Sequence, residues 1–113
     1  MKISIITPTF NSAKTIQSNL DSIKAQSFKD YQLIVIDNKS KDGTVEIIKK
    51  NNIANIKFLI EEDLGIFDAI NKGIKISDHE IISVLHSDDF YNNENVLKDI
   101  VDEFHKYKDS DIV

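Results

Sequence analysis

Tyr31-Gln32-Leu33-Ile34-Val35-Ile36-Asp37-Asn38-Lys39-Ser40-Lys41-Asp42-Gly43-Thr44 passes from an apolar, β-branched run into a polar loop. Leu33, Ile34, Val35 and Ile36 are apolar at consecutive rather than alternating positions. A strand with apolar residues on both sides is one covered on both faces, as in a parallel sheet. The stretch that follows holds Asn, Ser, Asp and Gly, residues whose side chains or backbone freedom favour turns. Val45, Ile47 and Ile48 then supply the apolar side of a helix. The segment predicts a strand, a polar loop and a helix in that order.

The same unit recurs outward in both directions. Toward the N-terminus, Ile3 to Ile6 predicts a strand stopped by Thr7-Pro8-Thr9, since proline cannot donate to a ladder and displaces its neighbour from the helical region. Asn11 or Ser12 is placed to cap a helix with Ile16, Leu20, Ile23 and Phe28 on its inner side. Toward the C-terminus, Ile56 to Ile60 predicts a third strand. Gly65 to Ile76 predicts a helix with Ile66, Phe67, Ala69, Ile70 and Ile74 facing inward. Glu80 to Leu85 predicts a fourth strand, ending at His86-Ser87-Asp88-Asp89. Asn93 to Lys106 predicts a last helix with Val96, Leu97, Ile100, Val101 and Phe104 on one side. Asp111-Ile112-Val113 reads as the opening of a fifth strand. Regular alternation of this kind predicts an α/β fold, a mainly parallel sheet with helices on both faces.

In such sheets ligands bind at the carboxyl ends of the strands. The residues there are Thr7-Pro8-Thr9, Asp37-Asn38, Glu61-Glu62-Asp63 and His86-Ser87-Asp88-Asp89. Polar and acidic groups therefore gather at one edge. A dinucleotide-binding turn would need Gly-x-Gly-x-x-Gly after the first strand, so that backbone can approach a pyrophosphate. Thr7-Pro8-Thr9-Phe10-Asn11-Ser12 holds no glycine, and no Walker A loop is present. A phosphoryl-accepting receiver domain would place its acidic pair after strand one, whereas here the pair follows strand four. Asp88-Asp89 at the end of a buried strand suits a hard divalent cation, Mn2+ or Mg2+, shared with ligand phosphates. Asp37 has two readings, a ligand contact or a side chain that caps its own loop. Asp42-Gly43-Thr44 has the composition of a turn and helix cap.

Composition narrows the classes further. The chain has 113 residues, 41% hydrophobic and 29% charged, which fits one domain or less with a real core. Its formal net charge of −5 argues against nucleic acid as a partner, because that affinity comes from cations neutralising phosphates. There is no cysteine, hence neither disulfide framework nor thiolate metal site. No run approaches the roughly 20 apolar residues of a membrane helix. The N-terminal apolar run is short and ends in Pro8, unlike a signal peptide. These features predict a cytoplasmic protein; the inner face of the membrane stays open as the location of the full-length protein.

Four segments carry a resemblance to a known family. Ser4-Ile5-Ile6-Thr7-Pro8-Thr9-Phe10-Asn11 is similar to the opening strand of family 2 glycosyltransferases, and Leu33 to Thr44 resembles their second-strand signature. Gly65-Ile66-Phe67-Asp68-Ala69-Ile70-Asn71-Lys72-Gly73-Ile74 resembles the helix before their metal motif, and Val84-Leu85-His86-Ser87-Asp88-Asp89 the motif itself. Together they span residues 4–89. The resemblance implies a GT-A (Rossmann-like) fold and transfer of a sugar, with inversion, from a nucleoside diphosphate donor, most often a UDP-sugar. It implies that Thr7, Pro8 and Thr9 lie against the nucleobase and ribose and that Asp37 accepts a hydrogen bond from the base. Asp68, Asn71 and Lys72 would face the donor from the third helix. Asp88 would approach the ribose or the metal, and Asp89 would ligate the cation.

The chain departs from the family pattern at His86, where an aspartate is common, and at Ile70, where an arginine is common. Family members also supply a catalytic base and an acceptor site from a region well past the metal motif. Residues 1–113 are therefore expected to be the donor-binding portion of a glycosyltransferase domain, cut after the fourth strand and its helix, with no catalytic base of their own. The alternative is a non-catalytic, truncated module that binds nucleotide or self-associates. A homo-oligomer through an exposed sheet edge or an apolar helix face is the partner expected of such a cut.

Overall fold

The computed structural model describes residues 2–78 and 80–106. Its elements are β1 (Ile3–Thr9), α1 (Ile16–Lys24), β2 (Tyr31–Asp37), α2 (Thr44–Lys50), β3 (Ile56–Ile60), α3 (Ile66–Ile76), β4 (Ile81–Val84) and α4 (Val96–Lys106). The strands form one sheet in the order β3-β2-β1-β4, with every pairing parallel. The expected fifth strand at Asp111 to Val113 lies outside the described residues.

The continuous apolar runs do what their pattern predicts. Ile3 and Ile5 of β1, Leu33 and Val35 of β2 and Ile81 of β4 face α1, α2 and α4, which contribute Ile16, Leu20, Ile23, Ile48, Leu97 and Val101. On the opposite face Ile6, Ile34 and Ile36 meet Ala69 of α3. Phe104 packs half-buried at the margin of the larger cluster, and so does Phe28, which lies beyond the end of α1 rather than on it.

Two expectations are corrected. β1 does not stop before Thr7 but runs through Thr9, with Pro8 level with Ile36 of β2. The Ile6 carbonyl points to β4, accepting from Leu85 N–H, and the Thr9 carbonyl points to β2, accepting from Asn38 N–H. Pro8 is in phase with Ile6, so its missing donor faces the side on which β4 has already ended. The ladder to β2 loses nothing, which is how a strand tolerates proline.

The second correction concerns α3. Phe67, expected inside, is 80% exposed, and Ile66 and Ile74 are also exposed. The buried positions are Ala69 and Gly73. α3 lies so close to the sheet that a Cβ on Gly73 would come within 2.7 Å of Ile6 Cγ2. Small residues one turn apart define the inner stripe, and the large apolar ones are displaced to its flanks. Ile82 and Val84 of β4 point to this same face and stay partly open.

Candidate functional site

The loops that leave the strands at their carboxyl ends enclose a cleft of about 720 Å³. Its walls come from β1 and the loop after it (Pro8 to Ser12, Lys14 and Thr15), from Asn38 and Asp42 after β2, from Asp63, Gly65, Ile66 and Ala69 at the start of α3, and from His86, Ser87 and Asp88 after β4. A shallower extension of about 380 Å³ continues past Phe10 and Asn11 toward Lys39, Lys41 and Glu62.

The loops after β1 and β2 are sewn together by side chains. Asp37 is fully buried. Its Oδ1 accepts from the Thr9 hydroxyl at 2.6 Å and the Ser40 hydroxyl at 2.7 Å, and its Oδ2 from Ser40 N–H at 2.8 Å. Asn11 takes a left-handed backbone, φ 47°, which asparagine tolerates better than most residues. Its N–H donates to Ser40 Oγ and its Oδ1 accepts from Lys41 N–H. Asp42 accepts from Ala13 N–H and from both the hydroxyl and the N–H of Thr44. The Thr44 hydroxyl bond, then these N–H donors, hold the Asp42 carboxyl below its ordinary value of 3.8. The expected turn-and-cap role of Asp42-Gly43-Thr44 is thus widened, since Asp42 also ties the two loops.

The α3 side has its own brace. Gly65 adopts φ 120° and ψ −179°, a conformation open in practice only to glycine, and so lets the chain turn into the helix at the cleft wall. Asp68 reaches back to accept from Leu64 N–H at 2.9 Å. That bond, and then Lys72, hold the Asp68 carboxyl below the ordinary aspartate range. Lys72 Nζ lies 2.9 Å from Glu61 Oε1 and 3.2 Å from Asp68 Oδ2, and its pKa is raised chiefly by the Glu61 bond.

Pro8, Thr9 and Asp88 thus line the cleft. Thr7 is buried beneath it, its hydroxyl without a partner among the described residues. Asp37 lies under the floor with its carboxylate engaged. Asp68 and Lys72 are committed to the brace, and Asn71 is exposed on α3; none of the three lines the cleft. Asp89 also stands outside the lining, its Oδ1 accepting from Phe90 N–H at 2.8 Å. No cluster of three or more His, Cys, Asp or Glu residues suited to a metal occurs among the described residues. Asp88 alone offers hard carboxylate oxygens from this loop into the cleft, which fits a cation completed by ligand phosphates and water.

The sequence reading missed the support of the acidic loop. Asn19 of α1 is fully buried and donates to the carbonyls of His86 (2.9 Å) and Asp89 (3.2 Å). Just beyond the loop, Ser22 Oγ accepts from Tyr91 N–H; farther on and away from the cleft, Gln26 binds the Asn93 carbonyl and Leu97 N–H. Ser12 and Ser87 share a 2.7 Å hydroxyl bridge. The available signal was the polar spacing Asn19, Ser22, Gln26, a second stripe that starts on α1 beside the apolar one and runs just past its end.

The parallel sheet with its polar cleft at the carboxyl edge shares the GT-A type of architecture of the glycosyltransferases it superposes on. The profile of Glycosyl transferase family 2 matches residues 4–113, and the chain belongs to that family. It is 37% identical to glycosyltransferase AglE of Haloferax volcanii over 91 residues, 76% of this chain and 30% of that protein. It is 33% identical to the poly(ribitol-phosphate) beta-N-acetylglucosaminyltransferase TarP of Staphylococcus aureus, covering 99% of this chain and 35% of TarP. The chain therefore spans about a third of the length of these relatives. The crystal structure of S. aureus TarS 1-349 in complex with UDP-GlcNAc superposes with a TM-score of 0.88 at 31% identity, covering 96% of this chain and 32% of that one. The mannosyltransferase PcManGT of Pyrobaculum calidifontis, solved with GDP-Man and Mn2+, shares the fold with a TM-score of 0.84 at 24% identity, covering 90% of this chain and 32% of that one.

Proposed function

We propose that the cleft holds the nucleoside diphosphate part of a UDP-sugar and that these residues form the donor side of an inverting glycosyltransferase. The observation that carries this is that Asp88 lines one cleft together with Pro8, Thr9 and Phe10, at the strand ends where nucleotides bind in open α/β sheets. The likeness to TarS, whose structure was solved with UDP-GlcNAc, supports the choice of donor.

In the reaction an acceptor hydroxyl attacks the anomeric carbon, the bond from that carbon to the diphosphate oxygen breaks, and UDP leaves with the electron pair. The acceptor proton goes to a general base, which we assign to none of the described residues. Pro8 and Thr9 lie against base and ribose. Asp37 acts from beneath, holding Thr9 and Ser40 in place, and Thr7 supports the same floor. Asp88, with Asp89 beside it, faces the diphosphate. A bound Mn2+ or Mg2+ would neutralise phosphate charge and ease departure of UDP. Asp68 and Lys72 contribute by fixing the α3 wall.

Calorimetric titration of UDP with and without Mn2+ tests the reading. Saturable heat that is stronger with Mn2+ is expected; no heat in either case would sink it.

A further inference from the structure

We propose that Asn19 is a positioning residue: its buried carboxamide, rather than the sheet, sets where the His86 to Asp89 loop carries Asp88 over the cleft. The inference rests on the reading of that cleft as a nucleotide diphosphate site. β4 pairs with β1 only as far as Val84, and the Leu85 N–H to Ile6 carbonyl bond closes the ladder. Beyond it the loop turns on one internal bond, Asp89 N–H to the His86 carbonyl. Such a turn fixes its own shape but not its position relative to the rest of the fold.

Position comes from α1. Asn19 Nδ2 grips the two carbonyls that bracket Ser87 and Asp88. Carbonyl oxygens only accept, so the amide nitrogen must be the atom that faces them. On the near side Ser87 is also tied to Ser12, whose N–H is bound to Thr44 Oγ1. The Asp88 loop is thereby referenced to the loops after β1 and β2, which form the rest of the cleft.

The same carboxamide is a poor device for stability alone. Its Oδ1 is buried with no partner among the described residues, a cost that an apolar side chain would not carry. The two carbonyls belong to exposed residues, His86 and Asp89, and can take water when the amide is gone. An apolar replacement should therefore keep the fold and release the loop. Gln26 supplies the control. It is equally buried, just past the end of α1, and also binds backbone, but at Asn93 and Leu97, away from the cleft.

The test compares Asn19→Leu, Asn19→Ala and Gln26→Ala with the unaltered chain. Melting curves select the Asn19 variant that stays folded. Amide NMR resonances of Ser87 and Asp88 are then followed without ligand, and UDP affinity is measured with Mn2+. The expected result is displaced or broadened Ser87 and Asp88 resonances in the Asn19 variant only, with affinity lower by about tenfold, the scale on which misplaced groups are felt. Gln26→Ala should lose stability without moving those resonances. Unchanged Ser87 and Asp88 resonances in a folded Asn19 variant would overturn the proposal, as would an equal effect from Gln26→Ala. The resonances are read without ligand, so failure of the unaltered chain to bind UDP would count against the nucleotide reading and leave the Asn19 result standing.

Discussion

Thr9 and Asp37 are joined across the β1–β2 pair by a 2.6 Å hydrogen bond from hydroxyl to carboxylate, with both side chains buried and their backbones in register. Because Ser40 adds two more donors to the same carboxylate, Asp37 behaves as a knot rather than a free acceptor. Asp37→Asn keeps the shape but turns an amide donor against existing donors. It should cost about 1–3 kcal/mol, read as a lower urea midpoint. An unaltered midpoint would show that the knot adds nothing.

Asp88 and Asp89 should differ in Mn2+-dependent UDP binding. Asp88 lines the cleft and Asp89 does not, so Asp88→Ala should weaken binding by about tenfold or more, and Asp89→Ala by only a few-fold. Calorimetry reads both. A larger loss at Asp89 would mean that the loop rotates when ligand enters.

Asp42 predicts a specific acid limb. Its folded pKa lies below 3.8, so the stability it contributes is complete above that pH and is lost as pH falls through the folded value. The melting temperature of the unaltered chain should therefore fall more steeply below about pH 3.8 than that of Asp42→Asn. Parallel curves would refute it. The effect is small, because Asp42 is exposed to solvent.

Gly73→Ala should destabilise despite alanine's better helix propensity. Its Cβ would press on Ile6 Cγ2 at 2.7 Å, and Ile6 has no room to retreat inside the core. Overpacking costs about 1–3 kcal/mol, against a gain of at most about 1 from propensity. A denaturant midpoint equal to or above that of the unaltered chain would show that α3 can slide.

The apolar surface of α3 and β4 should drive self-association. Phe67 and Ile74 of α3 and Ile82 and Val84 of β4 are all exposed, and the outer edge of β4 has no partner strand among the described residues. Light scattering should show mass rising with concentration, and Phe67→Glu should reduce it. A monomer at high concentration would contradict this.

Most of the fold was legible because the strands announce themselves. Leu33 to Ile36 has no polar position, so its placement inside a covered sheet follows from hydropathy alone. Hydropathy failed where shape decides. It sent Phe67 inward, whereas the gap under α3 admits only Ala69 and Gly73. The proline rule, not hydropathy, stopped β1 at Thr7, because a single sequence does not show on which side a neighbouring strand will end. The residues of the cleft followed from the rule that ligands meet the strand ends, but their division of labour did not. Which of Asp37, Asp68, Asp88 and Asp89 is free depends on donors supplied from distant positions, such as Thr9 to Asp37.

The two faces of the sheet are unevenly covered. Twelve buried side chains secure α1, α2 and α4 to one face, and four hold α3 to the other, among the described residues. Local opening follows the thinner layer, so α3 should exchange its amide hydrogens faster than α1. Ile66 and Ala69 of the cleft wall belong to α3, while the wall carrying His86 to Asp88 is held to α1 by Asn19. The two walls of the cleft are thus carried on opposite faces of the sheet, one by α3 and the other, through Asn19, by α1.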